Sequence, residues 1–205
     1  MERKIKMTKG NSVRLSSSRL REIFIKAGAD DVGFVEAGRP ALEDFRESIA
    51  ELYPPTRTLV SVVMLLNRAN LRTPARNLVG YEIHTGEDAL GALQRQVLRL
   101  LREEGVAGLA LPAAFPMDIN KKDRQKMWGV RHKIVAEQSG MGLMGLSRLV
   151  LHPKWGSAIL LGSMLLDCEV DNYGGPVANT QCINCRLCVA ACPVGAIKPD
   201  GSFDF

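Results

Sequence analysis

The 205-residue sequence contains no uninterrupted apolar stretch approaching the ~18 residues of a membrane span, although 46% of its residues are hydrophobic. Its opening, MERKIKMTKG, is basic but no apolar segment follows, so it does not read as a secretory signal and a cytoplasmic location is expected. No internal repeat or low-complexity tract interrupts it, which leaves ordinary globular material. Cysteine is scarce as well. There are five, four of them lie between positions 182 and 192, and no second clustered run exists in the sequence.

The length suffices for one full domain with a substantial core and a small appendage. A net charge of +5 and a pI near 9.1 would suit an anionic partner such as nucleic acid or a phosphorylated cofactor. Much of that charge has a plainer explanation. Arg3, Lys4, Lys6 and Lys9 fall in a basic tail, residues 1–15, and Lys121, Lys122, Arg124 and Lys126 fall in a polar stretch, so both groups read as solvated.

Residues 16–171 read as an α+β body, a mixed sheet flanked by helices. Ser16, Ser17 and Ser18 offer N-caps to a helix whose apolar face is Leu20, Ile23, Phe24 and Ala27, with Gly28 as its stop. A short strand over 32–35 follows. Leu42, Phe45, Ile49 and Leu52 then recur at helical spacing as far as Pro54 and Pro55, and TLVSVVMLL reads as a buried strand. Thr85 and Asp88 have capping-box spacing before a long helix marked by Leu90, Leu93, Val97, Leu100 and Leu101 and ended by Gly105. GLALPAAF predicts a strand, residues 123–139 a helix, and SRLVLHPKWGSAILLGSMLL a hairpin around Pro-Lys-Trp-Gly. Asn172, Gly174, Gly175 and Pro176 form a linker into a small module over 176–205.

That module carries the chemistry. Cys182, Cys185, Cys188 and Cys192, followed by Pro193, fit Cys-x2-Cys-x2-Cys-x3-Cys-Pro, the run that ligates iron-sulfur clusters in bacterial ferredoxins. Short spacings let successive thiolates converge on one soft, multi-iron centre. Disulfides do not suit the expected compartment. Zinc usually takes two separated Cys-x2-Cys knuckles, or cysteine with histidine. A [4Fe-4S] cluster is therefore expected. The number of clusters stays open, because in two-cluster ferredoxins the fourth cysteine of such a run binds the other cluster. Either the chain is a shortened form of a longer protein, or all four cysteines bind one cluster, or Cys168 serves as a distant ligand. For a lone cysteine at the end of an apolar strand, simple burial is the commoner role.

Gly140, Gly142 and Gly145 spell Gly-x-Gly-x-x-Gly, the dinucleotide-binding pattern, but that pattern must follow a strand and open a helix. Here a helix precedes and a strand follows. Glycines at a helix end instead permit positive φ and close backbone approach, with a bulky cofactor as one candidate neighbour.

The stretch HKIVAEQSGMGLMGLSRLVLHPKWGSAILLGSMLLD, followed by CINCRLCVAACP, resembles the superfamily of epoxyqueuosine reductases and reductive dehalogenases. The resemblance implies a nitroreductase-like body, a ferredoxin-like module with two [4Fe-4S] clusters and a base-off corrinoid. Gly140, Gly142 and Gly145 match the family's Gly-Leu-Gly-x-x-Gly turn, Gly156 and Ser157 its Gly-Ser, and Cys182, Cys185, Cys188 and Cys192 its first ferredoxin run. Leu146 stands where epoxyqueuosine reductases have a lysine, and no position matches their catalytic aspartate, Asp118 being the nearest by location. The resemblance places a reaction chamber near His132, Tyr81 and His84. Tyr81 and His132 join the three glycines as cofactor-site candidates, against the plainer reading of surface or packed residues.

The functional expectation is an iron-sulfur oxidoreductase delivering electrons to a corrinoid, or less readily to FMN, for reduction of a small molecule or tRNA, with a protein electron donor. The alternatives are an electron-transfer module without catalysis of its own and a corrinoid- or flavin-binding chaperone.

Overall fold

The computed structural model describes residues 13–114 and 129–204. Its centre is a four-stranded antiparallel sheet in the order β2-β3-β7-β4, formed by β2 (Asp31–Glu36), β3 (Thr58–Leu65), β4 (Gly108–Leu111) and β7 (Ile159–Leu166). The longest strands, β3 and β7, pair over eight residues each, from Thr58 opposite Leu166 to Leu65 opposite Ile159. Strand directions are mixed only across the molecule, since β1 (Arg14–Leu15) lies parallel to β8 (Glu169–Val170) in a separate pair.

Side-chain alternation in the strands divides the core in two. Val32, Phe34, Val60, Val62, Met164 and Leu166 face one side, where α1 (Ser17–Lys26) and α4 (Arg76–Glu103) bring Leu20, Phe24, Leu90, Val97 and Leu101 against them. Val35, Leu59 and Leu165 face the other side, toward a 3-10 turn (Pro40–Phe45), α2 (Arg46–Leu52) and α5 (His132–Gln138). Gly162 lies directly under Leu90, where a Cβ would fall 2.7 Å from a leucine methyl. The α+β architecture with helices on both faces of a sheet is thus as expected.

The first helix follows its sequence signals closely. The Ser16 hydroxyl accepts the Arg19 amide at 3.1 Å, and Gly28 leaves the helix at φ +108°. Elsewhere the structure departs from expectation for identifiable reasons. Helix α4 begins at Arg76, after a short α3 (Arg68–Arg72), so Thr85 and Asp88 lie inside it and cap nothing. Thr85 Oγ1 donates instead to the carbonyl of Tyr81 at 2.8 Å, the local bond a mid-helix threonine makes. The described part of the helix expected over 123–139 begins only at His132, because Gly129 adopts φ +73° just before it; residues 123–128 lie outside the described residues.

The expected hairpin over Ser147 to Leu166 is also corrected. Its first arm, β6 (Val150–Leu151), pairs with β5 (Leu143–Met144), whereas its second arm is β7 of the central sheet. The Pro-Lys-Trp-Gly turn closes locally, with His152 and Gly156 exchanging backbone bonds of 2.9 and 2.8 Å, and the chain then crosses between sheets.

Candidate metal centre

The cysteine segment is a loop followed by one short helix. Cys182 and Cys185 precede α6 (Leu187–Ala191), Cys188 lies within it and Cys192 ends it, with Pro193 preventing further helix. Asn184 and Arg186 adopt left-handed φ of 53° and 60°, so Cys185 sits between two αL residues. Arginine in that conformation costs on the order of 1 kcal/mol. Such curls turn backbone amides toward a common anion, as protein sites for phosphates and iron-sulfur clusters do.

Two of the sulfurs already face amides. The N–H groups of Leu146 first, then Asn184, hold the Cys182 thiol below its ordinary pKa. The amide of Ile197 chiefly, with those of Val194, Ala196 and Gly195, does the same for Cys192. Both arrangements favour thiolate, the form that binds metal. A single tetrahedral ion would need sulfurs drawn to about 4 Å of one another. Among the described residues no group of three or more Cys, His, Asp or Glu side chains is gathered to hold one ion. A four-iron cube is a wider object, and the donor set, the αL curl and the inward amides fit it. Ile183, Leu187 and Val194, between the cysteines and just after them, are 85, 71 and 81% exposed.

Cys168 has the other fate anticipated for it. It is fully buried in the α1/α4 core, and burial raises its thiol to about 11, so it is a neutral packing residue apart from the other four.

The glycine turn packs closely on protein, and at Gly145 on Cys182. Gly142, at φ +141°, presses on the Leu151 carbonyl, where a Cβ would have no room. Gly140, at φ +86°, faces the Gly175 carbonyl, at 2.9 Å from where a Cβ would be. A Cβ on Gly145 would meet the Leu151 side chain at 2.8 Å and the Cβ of Cys182 at 3.5 Å. Gly145 therefore lets the β5–β6 hairpin lie against the cysteine segment at Cys182.

Both ring nitrogens of His132 are engaged by protein groups. Its hydrogen-bond network assigns Nε2–H as donor to the Pro112 carbonyl at 3.0 Å and Nδ1 as acceptor from the Ser163 hydroxyl at 2.8 Å. Burial lowers its pKa to about 4 against the opposing pull of the Pro112 carbonyl, so the ring is neutral and both nitrogens are taken. Tyr81 is 64% exposed on α4, and His84 nearby meets Glu87 at 3.4 Å. Neither joins His132 in a common cluster of hydrogen bonds, and Asp118 lies outside the described residues.

Three features escaped sequence reasoning. Arg39, 16% exposed, forks onto Glu36 at 3.0 and 2.7 Å and donates to the carbonyls of Gln138 and Gly174. It ties the end of α5 to the stretch leading into the cysteine segment, which is further fixed by the Gly174 amide on the Phe34 carbonyl at 2.9 Å. His152 is buried, stacks on Trp155 at 4.4 Å and donates from Nε2 to Asp31, which also receives Arg21. Lys133 on α5 donates to the carbonyl of Arg148 in the loop of the β5–β6 hairpin at 2.6 Å. Only the histidine of HPKWG offered any signal, and none distinguished these arginines from surface ones. An open cleft of about 650 Å³ lies elsewhere, lined by arginines and carboxylates including Arg57, Glu36 and Asp171, and by none of the cysteines or candidate glycines.

Residues 177–198 match the family described as "4Fe-4S binding domain". An epoxyqueuosine reductase of Listeria monocytogenes is 33% identical over 70 residues, 34% of this chain and 18% of that protein. The structure of an epoxyqueuosine reductase with a tRNA stem loop superposes with a TM-score of 0.66 at 18% identity, over 91% of this chain and 54% of the other. A reductive dehalogenase structure, described as suggesting a mechanism for B12-dependent dehalogenation, superposes with a TM-score of 0.68 at 16% identity, over 94% of this chain and 27% of the other. The chain thus spans about half of the first structure and the match a fifth or less of the curated relative. In sequence over those 70 residues, and in fold over nine tenths of its length, this chain with its 4Fe-4S binding domain resembles the superfamily of epoxyqueuosine reductases and reductive dehalogenases.

Proposed function

We propose that the chain is an iron-sulfur reductase in which Cys182, Cys185, Cys188 and Cys192 hold a [4Fe-4S] cluster, and the α+β body holds a corrinoid, or less readily FMN, for reduction of an organic substrate. The observation that carries this reading is the cysteine run itself, matched as a 4Fe-4S binding domain and built with amides turned to its sulfurs. When bound, the cluster supplies single-electron storage and the body cofactor the bond-breaking chemistry. The chain's own part is to fix the geometry. Arg39 holds the connecting stretch to the body, and the β5–β6 hairpin receives Cys182. The exposed side chains of Ile183, Leu187 and Val194 offer an apolar contact for a protein electron donor. A tRNA substrate accords with the net charge of +5 and the epoxyqueuosine reductase likeness, and a small molecule with the dehalogenase likeness.

A second reading, electron transfer without catalysis, draws support from the bonding of both His132 nitrogens to protein and from the solvent-facing Tyr81. One experiment separates the readings. Anaerobic reconstitution is expected to give about four irons and four sulfides per chain, and cobalamin or FMN added at micromolar protein is expected to co-elute with its own absorption bands. A reducible cluster without either cofactor would favour electron transfer alone, and a zinc-only protein would overturn both.

A further inference from the structure

We infer that the open cleft beside the β1–β8 pair is a binding site for a sugar phosphate, with the phosphate on Arg57 and Arg46 and the hydroxyls on Glu169 and Asp171. The cleft measures about 650 Å³, the size of a small-molecule site rather than of a bare anion. It stands apart from the cysteine segment. His152, just beyond the β5–β6 hairpin, bonds to Asp31 at the start of β2, whereas Glu36 at the end of that strand lines the cleft with Arg57. The ends of this six-residue strand are about 17 Å apart.

The lining divides into two walls of opposite character. One comes from the end of β2, the start of α2 and the residue before β3, and carries Glu36, Arg46 and Arg57. Arg39 forks both oxygens of Glu36 at 3.0 and 2.7 Å, and Arg46 Nη2 lies 2.7 Å from Glu43 and 3.2 Å from the Gly38 carbonyl, so these charges are matched. Arg57 is not matched. Its guanidinium has no hydrogen bond or ion pair among the described residues, while its backbone is fixed by its N–H on the Leu166 carbonyl at 2.8 Å and its carbonyl under the Ala37 N–H at 2.9 Å. The other wall comes from β1, β8 and the residue after β8, and carries Arg14, Glu169 and Asp171. Glu169 lies in register with Arg14 without an ion pair, and Asp171 accepts the Ser17 amide at 2.7 Å. The first wall is left with an excess positive charge and the second with an excess negative one.

Hydrogen bonds hold the walls at a set spacing. Thr58 Oγ1, next to Arg57, donates to the Cys168 carbonyl at 2.7 Å, so the Tyr173 hydroxyl donates to Thr58 Oγ1 at 3.0 Å and accepts the Val170 amide at 3.2 Å. The site is thus formed before any ligand arrives. Arginine forks match phosphate oxygens, and carboxylates accept from hydroxyls. A bare anion would satisfy the first wall and be repelled by the second, whereas a phosphate ester of a sugar satisfies both.

The test is isothermal titration calorimetry of the full chain with ribose 5-phosphate, inorganic phosphate and ribose as probes. Ribose 5-phosphate is expected to bind about tenfold more tightly than inorganic phosphate, the worth of one further hydrogen bond to a charged group, and ribose not measurably. Arg57→Gln removes no side-chain contact among the described residues, and it is expected to weaken ribose 5-phosphate about tenfold for the same reason. Glu169→Ala is expected to weaken ribose 5-phosphate severalfold while leaving inorganic phosphate as tight or tighter. Melting temperatures equal to wild type establish that the variants are folded. Absence of ribose 5-phosphate binding at millimolar concentration, or equal affinity in Arg57→Gln, would overturn the site. Inorganic phosphate binding as tightly as ribose 5-phosphate, with Glu169→Ala weakening neither, would overturn the assignment of a sugar phosphate to it.

Discussion

Acidification from pH 7 to pH 5 is expected to cost about 2 kcal/mol of folding stability through His132 alone. In the folded chain the ring titrates near pH 4, and in the unfolded chain near 6.5. Between these values the unfolded state binds a proton that the folded state refuses, so stability is complete above about 6.5 and drains away as pH falls toward 4. The full span is worth at most about 3 kcal/mol at 1.36 kcal/mol per unit, most of it expended by pH 5. The cause is structural. Protonation would place a proton on Nδ1, which accepts from Ser163 at 2.8 Å, in a pocket that gives the charge little water. Urea unfolding followed by circular dichroism at pH 7, 6 and 5 measures the loss, with His132→Gln as the comparison. The variant lowers stability at pH 7 but should lack most of the pH slope. Equal slopes in both proteins would refute the argument, because the protons would then be bound elsewhere.

Cys168→Ala should leave iron content unchanged and cost on the order of 1–2 kcal/mol from the small cavity in a fully buried site, whereas Cys185→Ala should lower iron per chain; iron loss in Cys168→Ala would restore it as a ligand. Gly142→Ala should destabilise by about 2 kcal/mol or more in thermal melts, since it combines a left-handed φ of +141° with a clash on the Leu151 carbonyl; a neutral result would mean that the hairpin can move aside. Arg39→Ala should cost about 2 kcal/mol and expose residues 172–176 to limited proteolysis, and an unchanged cleavage pattern would show the stretch to be held by Gly174 alone.

The elements that obey local chemistry were legible in the sequence. The Ser16 cap, the Gly28 stop and the apolar run of β3 needed only residue type and spacing. The cysteine run was legible for the same reason, because its ligand spacing is itself the signal. What was hidden depended on long-range placement. Val150 and Ile159 are nine positions apart, yet their strands join different sheets, a choice made by β5 and by the open edge of β3 rather than by the turn between them. Asp31 and His152, 121 positions apart, and Arg39 and Gly174, 135 apart, look like unrelated surface residues until the sheet brings them together. The glycine triplet was noticed but its neighbour was not predictable, since only folding shows that Gly145 faces Cys182.

The clamp that Arg39 places on the connecting stretch has a kinetic meaning. Electron tunnelling falls off exponentially with distance, so a tethered module that swings must wait for close encounters, and its transfer rate slows as the solvent is made more viscous. A module whose tether is joined through Arg39 to the end of α5 and bonded directly to the middle of β2 has no such search to perform. Its rate would be set by a fixed gap, and glycerol should leave it untouched.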